Sequence, residues 1–152
     1  MARDFDGVGD FISAARADTG FLTDLTVCCW AYIDTGSDYR HFFGNHAGGG
    51  GSANPVDFRT NNAATPVMEL VRANTDFRDF TGPSVVLGEW RHYAVTSAEA
   101  IQTAPTFYLN GSPTTGTVTG GAGTGAPTGS AAAIRIGARA DEVVNMDGRI
   151  AE

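Results

Sequence analysis

The chain has 152 residues, 42% of them apolar, enough for one globular domain with a real core, and its 17 acids against 10 bases leave a formal charge of -7. All of the bases are arginine, and without lysine there is no Schiff-base amine, no phosphate-loop lysine and no lysine-rich stripe for a nucleic-acid backbone. Nucleic acid is therefore not an expected partner, and no apolar run approaches the roughly 20 residues that cross a bilayer, so no membrane is expected either.

The N-terminal stretch MARDFDGVGDFISAAR carries acids where a secretory signal needs a basic start and an unbroken apolar run, so no export signal is expected. The next segment, LTVCCWAYI, alternates as a strand: Leu25, Val27, Cys29, Ala31 and Ile33 on one face, Thr26, Cys28, Trp30 and Tyr32 on the other. Large side chains on both faces predict a central strand covered on both sides. Adjacent strand residues point oppositely, so Cys28 and Cys29 are poorly placed to bond and read as two buried free thiols, which suits a reducing compartment.

Further strands are predicted at 40–43, 56–60, 67–73 and 84–87, with a spacing that suits a sandwich. HAGGGGSANP reads as a flexible loop, and TGTVTGGAGTGAPTGSAA as a second low-complexity connection. Neither holds a G-x-G-x-x-G arrangement. GEWRHYAVT places Trp90, His92, Ala94 and Thr96 on one strand face, with Tyr93 and Val95 on the other and Arg91 at its start. Phe107 and Leu109 repeat the alternation, with Tyr108 facing the opposite way. The pair Asn110-Gly111 then predicts a tight reversal, and the sequon Asn110-Gly111-Ser112 has meaning only in a secreted eukaryotic setting.

In this order, FDGVGDFI, LTVCCWAYI, GEWRHYAVT, FYLNG, IRIGARA and DGRIAE resemble the laminin-G-like branch of the concanavalin A-like lectin and glucanase superfamily. The resemblance implies one all-β domain over residues 1–152, a jelly-roll sandwich of two antiparallel sheets, with binding more often than catalysis as its role. Members of that family continue the last motif as a longer strand, so the closing strand reads as cut short, leaving an edge for another chain to cover. They also commonly place an aspartate of a structural calcium site where this chain has Ala151. The candidate calcium donors are Asp4, Asp6, Asp10, Asn145 and Asp147, which otherwise serve as turn residues and caps.

Glycosidases of the same architecture carry an E-x-D-x-x-E strand with two carboxylates about 5 Å apart. This chain has no E-x-D, and Glu69, Glu89, Glu99, Glu142 and Glu152 are scattered, so a non-enzyme is expected. His41, His46 and His92 have no metal-ligand spacing, His92 reads as a hydrogen-bonded strand residue of the sandwich, and no serine lies in a G-x-S-x-G elbow. The aromatic residues are better functional material. Trp30, Tyr32, Trp90 and Tyr108 would stack on sugar rings if they faced an open sheet, although both tryptophans read first as core. Tyr39, Arg40 and Asn45, with the loop that follows, are looser ligand candidates.

The expectation is a non-catalytic binding or structural module, lectin-like in ancestry. A start close to Met1, no export signal and free thiols suit a protein made in a host cytoplasm and mounted on a virion surface. There it would serve as a phage decoration, spike or fibre component. Its expected partners are other subunits of a capsid or tail, a second copy of itself, and glycans. The alternative is a carbohydrate-binding module of a larger secreted or surface protein, placed outside the cell.

Overall fold

The structure, a computed structural model, describes residues 1–14, 24–36, 38–45, 56–73, 76–126, 133–138 and 145–151. Among them there is no helix, and none therefore long and apolar enough to cross a membrane. The strands are β1 (Arg3–Asp6), β2 (Ile12–Ala14), β3 (Leu25–Ile33), β4 (His41–Gly44), β5 (Asp57–Thr60), β6 (Val67–Ala73) and β7 (Phe77–Ser84). They continue with β8 (Trp90–Ser97), β9 (Thr106–Leu109), β10 (Ser112–Thr115), β11 (Thr117–Gly120), β12 (Ile134–Ile136) and β13 (Asp147–Ala151). Two antiparallel sheets result, a six-stranded one in the order β1-β13-β3-β8-β9-β10 and a seven-stranded one in the order β11-β7-β6-β5-β4-β12-β2. This is the sandwich that the alternating sequence predicts.

The core lies between the sheets. Phe5, Ala31, Ile33, Tyr93, Val95 and Phe107 point inward from the six-stranded sheet and meet Phe42, Phe58, Met68, Leu70 and Phe80 from the other. Two ring contacts tie the layers together: Phe42 stacks on Tyr93 at 5.2 Å, and Phe58 meets Phe107 at 6.4 Å. Aromatic pairs at such spacings add to the area they bury, so they set the separation of the two sheets.

Several expectations need correction. β3 is central in its sheet but covered on one face only: its Leu25-to-Ile33 set points inward, while Thr26, Cys28 and Trp30 are exposed. A two-layer fold offers β3 a single opposing sheet, so its second set of side chains has nothing to pack under. Cys28 is accordingly an exposed thiol rather than a buried one, whereas burial, with Cys28 adding to it, pushes the Cys29 thiol up to about 12. The strand expected at 84–87 is instead β7, ending at Ser84, and Val85 and Val86 have left the sheet. Val85 fills the core margin from a connection, so an apolar run there resembled a strand. β7 itself contains Gly82 and Pro83, which discourage a strand reading, but a Cβ at Gly82 would come within 2.5 Å of the Phe107 ring. Part of the expected low-complexity connection is ordered as β11, paired with β7 through Thr117 to Thr81 and Val118 to Phe80. HAGGGGSANP, with His46, lies outside the described residues.

The predicted reversal is present: Asn110 and Gly111 have φ of 50° and 82° and join β9 to β10. The expected short closing strand is β13, but it is not an edge. It lies between β1 and β3, pairing with both. Its ladder with β3 runs from Ile33 to Trp30, and beside Val27, Cys28 and Cys29 of β3 there is a hollow of about 170 Å³ whose lining also includes Phe42, Phe43, Ile136 and Ile150.

Candidate functional site

The outward face of the six-stranded sheet gathers the aromatic residues singled out in the sequence. Tyr32 on β3 lies opposite Trp90 on β8, and Trp30 lies opposite His92. The rings of each pair meet edge-on, at 6.0 Å for Tyr32 and Trp90 and 5.5 Å for Trp30 and His92. Tyr108 on β9 joins the same face opposite Ala94. Trp30 is 44% and Trp90 40% exposed, so neither is the core residue that tryptophan usually is. His92 likewise faces outward beside Trp30 rather than into the sandwich, and the Asn110 side chain accepts a bond from its backbone N–H at 2.9 Å. Alternation dictates this: the inward places on β8 belong to Tyr93 and Val95, so Trp90 and His92 must point out.

One cation borders the rings. The Arg149 guanidinium lies 4.7 Å from the centroid of Tyr32 and donates to Asp4 at 2.8 Å. Both partners occupy it, and the exposed rings that remain are those of Trp30 and Trp90.

The other ligand candidates lie elsewhere. The ring of Tyr39 is covered by the Arg59 guanidinium at 4.4 Å. Arg40 is buried and donates to the carbonyls of Thr35 and Asn145 at 3.2 and 3.0 Å and to the Thr35 hydroxyl at 2.7 Å, with Asp147 at 3.8 Å. A guanidinium held by this many internal partners is a brace between the end of β3 and the approach to β13, not a hand for a ligand. Asn45 is buried at the end of β4, its N–H bonded to the Val56 carbonyl.

The five candidate calcium donors do not form one site, although Asp6 and Asp147 are partners across β1 and β13. Asp4 holds Arg149; Asp6 accepts the Val8 N–H at 2.8 Å, and Asp10 accepts that of Asp6 at 3.3 Å, so these two shape a turn. Asp147 accepts from the Thr35 hydroxyl at 2.6 Å with Arg40 alongside, and Asn145 is buried, its backbone carbonyl bonded to Arg40. Calcium needs six to eight oxygens around one point, which these residues do not supply. Among the described residues no group of three or more His, Cys, Asp or Glu is placed to hold a metal ion.

The seven-stranded sheet carries a feature that linear motifs did not reveal. On its outward face Gly44, Asp57, Val71, Asp79 and Gly120 form one cross-strand row, and Arg59, Glu69 and Thr81 form the next, with His41 opposite Arg59. Asp57 accepts from His41 Nδ1 at 2.7 Å and from Arg59 at 2.9 Å, and Arg59 donates to Glu69 at 2.6 Å. His41 and Asp57 are fully buried. The two glycines make room for the acids, since a Cβ at Gly44 would come 2.8 Å from an Asp57 oxygen and one at Gly120 the same distance from Asp79. Burial works against the Arg59 charge, but Asp57 and Glu69 outweigh it and hold the guanidinium above its usual range. Burial first, then the Glu69 charge, pushes the Asp79 carboxyl up to about 6, with Arg59 opposing. Each strand contributes one or two of these groups, so no local spacing betrays them. The carboxylates of Asp57 and Glu69 are both bound to Arg59 and buried.

Among curated proteins none matches the chain. In fold it is similar to the native heptameric SAP-like pentraxin from Limulus polyphemus, at 14% identity and a TM-score of 0.52, over 86% of this chain. The chain spans 64% of the length of that pentraxin. A laminin G family model matches residues 6–152, nearly the whole of the sandwich just described, and the chain therefore belongs to the Concanavalin A-like lectin/glucanases superfamily.

Proposed function

We propose that this protein is a non-catalytic glycan-binding module whose ligand face is the outward surface of the six-stranded sheet. The observation that carries the reading is the gathering of Trp30, Tyr32, Trp90, Tyr108 and His92 on one exposed face, with both tryptophans held open to solvent. Exposed aromatic groups of this size mark binding surfaces, and their apolar faces suit the C–H faces of sugar rings while nearby polar groups take the hydroxyls. Membership of a lectin and glucanase superfamily supports the same class of ligand.

In its finer form the proposal places the module on a virion, as a decoration, spike or fibre component that touches host glycans. A carbohydrate-binding module of a larger secreted or surface protein is the alternative setting. The pentraxin of similar fold is heptameric, which supports looking for a homo-oligomer here as well. A glycan array probed with the pure chain, once with calcium and once with chelator, tests the binding. Selective signals that vanish in Trp30→Ala are expected; a blank array from folded protein would overturn the proposal. Mass spectrometry of purified particles tests the setting, and absence of the chain there would remove the virion form of it.

A glycosidase reading meets the enclosed state of Asp57 and Glu69. Hydrolysis of a β-glucan that is lost in Glu69→Gln would restore it.

A further inference from the structure

We infer that the ligand face is a lane along β8 for a linear, uncharged oligosaccharide, with a polar cleft at one end that reads its hydroxyl groups. This rests on the glycan-binding reading above and adds the ligand's charge, length and direction.

The outward residues of β8 change character along the strand. Trp90 and His92 are large and stand against Tyr32 and Trp30. Ala94 follows, a small floor between Cys28 on β3 and Tyr108 on β9. Thr96 comes next, between Thr26 and Thr106. Large rings at one end and, beyond them, the small Ala94 with Tyr108 on one side make a shallow trough that runs on over a row of three threonines. From Trp90 to Thr96 it runs about 20 Å at the rise of a strand, room for several linked sugar rings.

The trough opens into a cleft of about 380 Å³ whose lining includes Asp24, Thr26, Thr96, Thr103 and Thr106. Its wall is built rather than incidental: the Asp24 carboxylate accepts the Glu99 N–H at 2.6 Å, fixing the chain before β3 against the loop after β8. Threonine hydroxyls both donate and accept, and a carboxylate accepts, which matches sugar hydroxyls. Apolar rings at one end and hydroxyl readers at the other complement a chain molecule whose rings present both kinds of surface.

Charge decides the class. Among the described residues the cation on this face is Arg149, held by Asp4 and the Tyr32 ring, while at the cleft the Asp24 carboxylate lies in the field of the buried Arg72, which donates to Ser97. Among the described residues a sulfated or carboxylated polymer would find Arg149 already engaged and Arg72 buried, so the fitting ligand is neutral.

The test uses the whole chain with neutral and sulfated oligosaccharides of two to six residues, followed by titration calorimetry. Affinity for the neutral series should rise with length until the trough is full. Thr26→Val and Thr106→Val, which keep the β-branched shape, should each weaken the longest neutral ligands about tenfold, the worth of one or two lost hydrogen bonds. Matching circular dichroism and melting temperature establish that the variants are folded. Thr26 is exposed, so its replacement does not disturb packing. If neutral ligands bind through Trp30 without dependence on length or on either threonine, the lane is wrong and the glycan-binding reading survives. Preference for sulfated ligands would overturn the charge assignment. No binding by either series would overturn both.

Discussion

Replacing Asp79 by asparagine tests the electrostatics of the seven-stranded sheet directly. Burial and the Glu69 charge raise its carboxyl from 3.8 to about 6, so the folded protein holds the proton more tightly than the unfolded chain. For an acid shifted in this direction the favourable contribution is full below the unfolded value and is lost as pH rises through the folded one. Stability should therefore fall between about pH 4 and pH 6 and stay low above. At 1.36 kcal/mol per pH unit the shift corresponds to a ceiling of about 3 kcal/mol. Asp79 is only partly buried, so solvent screening reduces the expected effect to about 1–2 kcal/mol. Asp79→Asn removes the charge at nearly constant shape and places an amide donor near Glu69. In urea denaturation followed by circular dichroism, the variant should exceed the wild type by that amount at pH 8 and converge on it at pH 4. A gain of this size raises the melting temperature by about 2–8 °C. A variant less stable at pH 8, or a difference that does not change between pH 4 and pH 8, would refute the reasoning.

Removing the anion at the centre of the same network should have the opposite sign. Asp57→Ala leaves His41 and Arg59 short of a buried partner and should destabilise the fold by about 3–5 kcal/mol, measured by the same denaturation. On the other sheet, Trp30→Ala and Trp90→Ala remove exposed rings. Each should cost less than about 1 kcal/mol of stability while abolishing glycan signals on the array. With a thiol reagent at pH 8, one cysteine per folded chain should react quickly, and Cys28→Ser should abolish that phase, because Cys29 is held near 12. Chelator should leave the melting temperature unchanged; a drop of several degrees would show that the aspartates of β1 and β13 do hold calcium.

The family fold was legible from local signals: period-two alternation in LTVCCWAYI and GEWRHYAVT, the Asn110-Gly111 reversal and the order of six short motifs. Each of these needs only neighbouring residues, because a strand sends successive side chains to opposite faces and a tight turn needs positive φ at two adjacent positions. The same locality exposes its limit at β7, where Gly82 and Pro83 conceal a strand whose glycine is explained by the Phe107 ring from the other sheet.

Four of the seven ligand candidates, Trp30, Tyr32, Trp90 and Tyr108, do come together. Alternation had already placed Trp30 with Tyr32, and Trp90 with His92, but it does not say which face is open, because Cys29 and Trp30 are equally able to be buried. The opposing sheet makes that choice: Phe42 and Phe58 occupy the side of Tyr93 and Phe107, and the tryptophans are left outside. Arg40 and Asn45 look like loop residues free to bind until the fold encloses them. The row of Asp57, Glu69 and Asp79 belongs wholly to tertiary structure, since cross-strand register brings together residues that sequence spacing keeps apart, and only burial in that register turns an ordinary aspartate into one that keeps its proton to about 6.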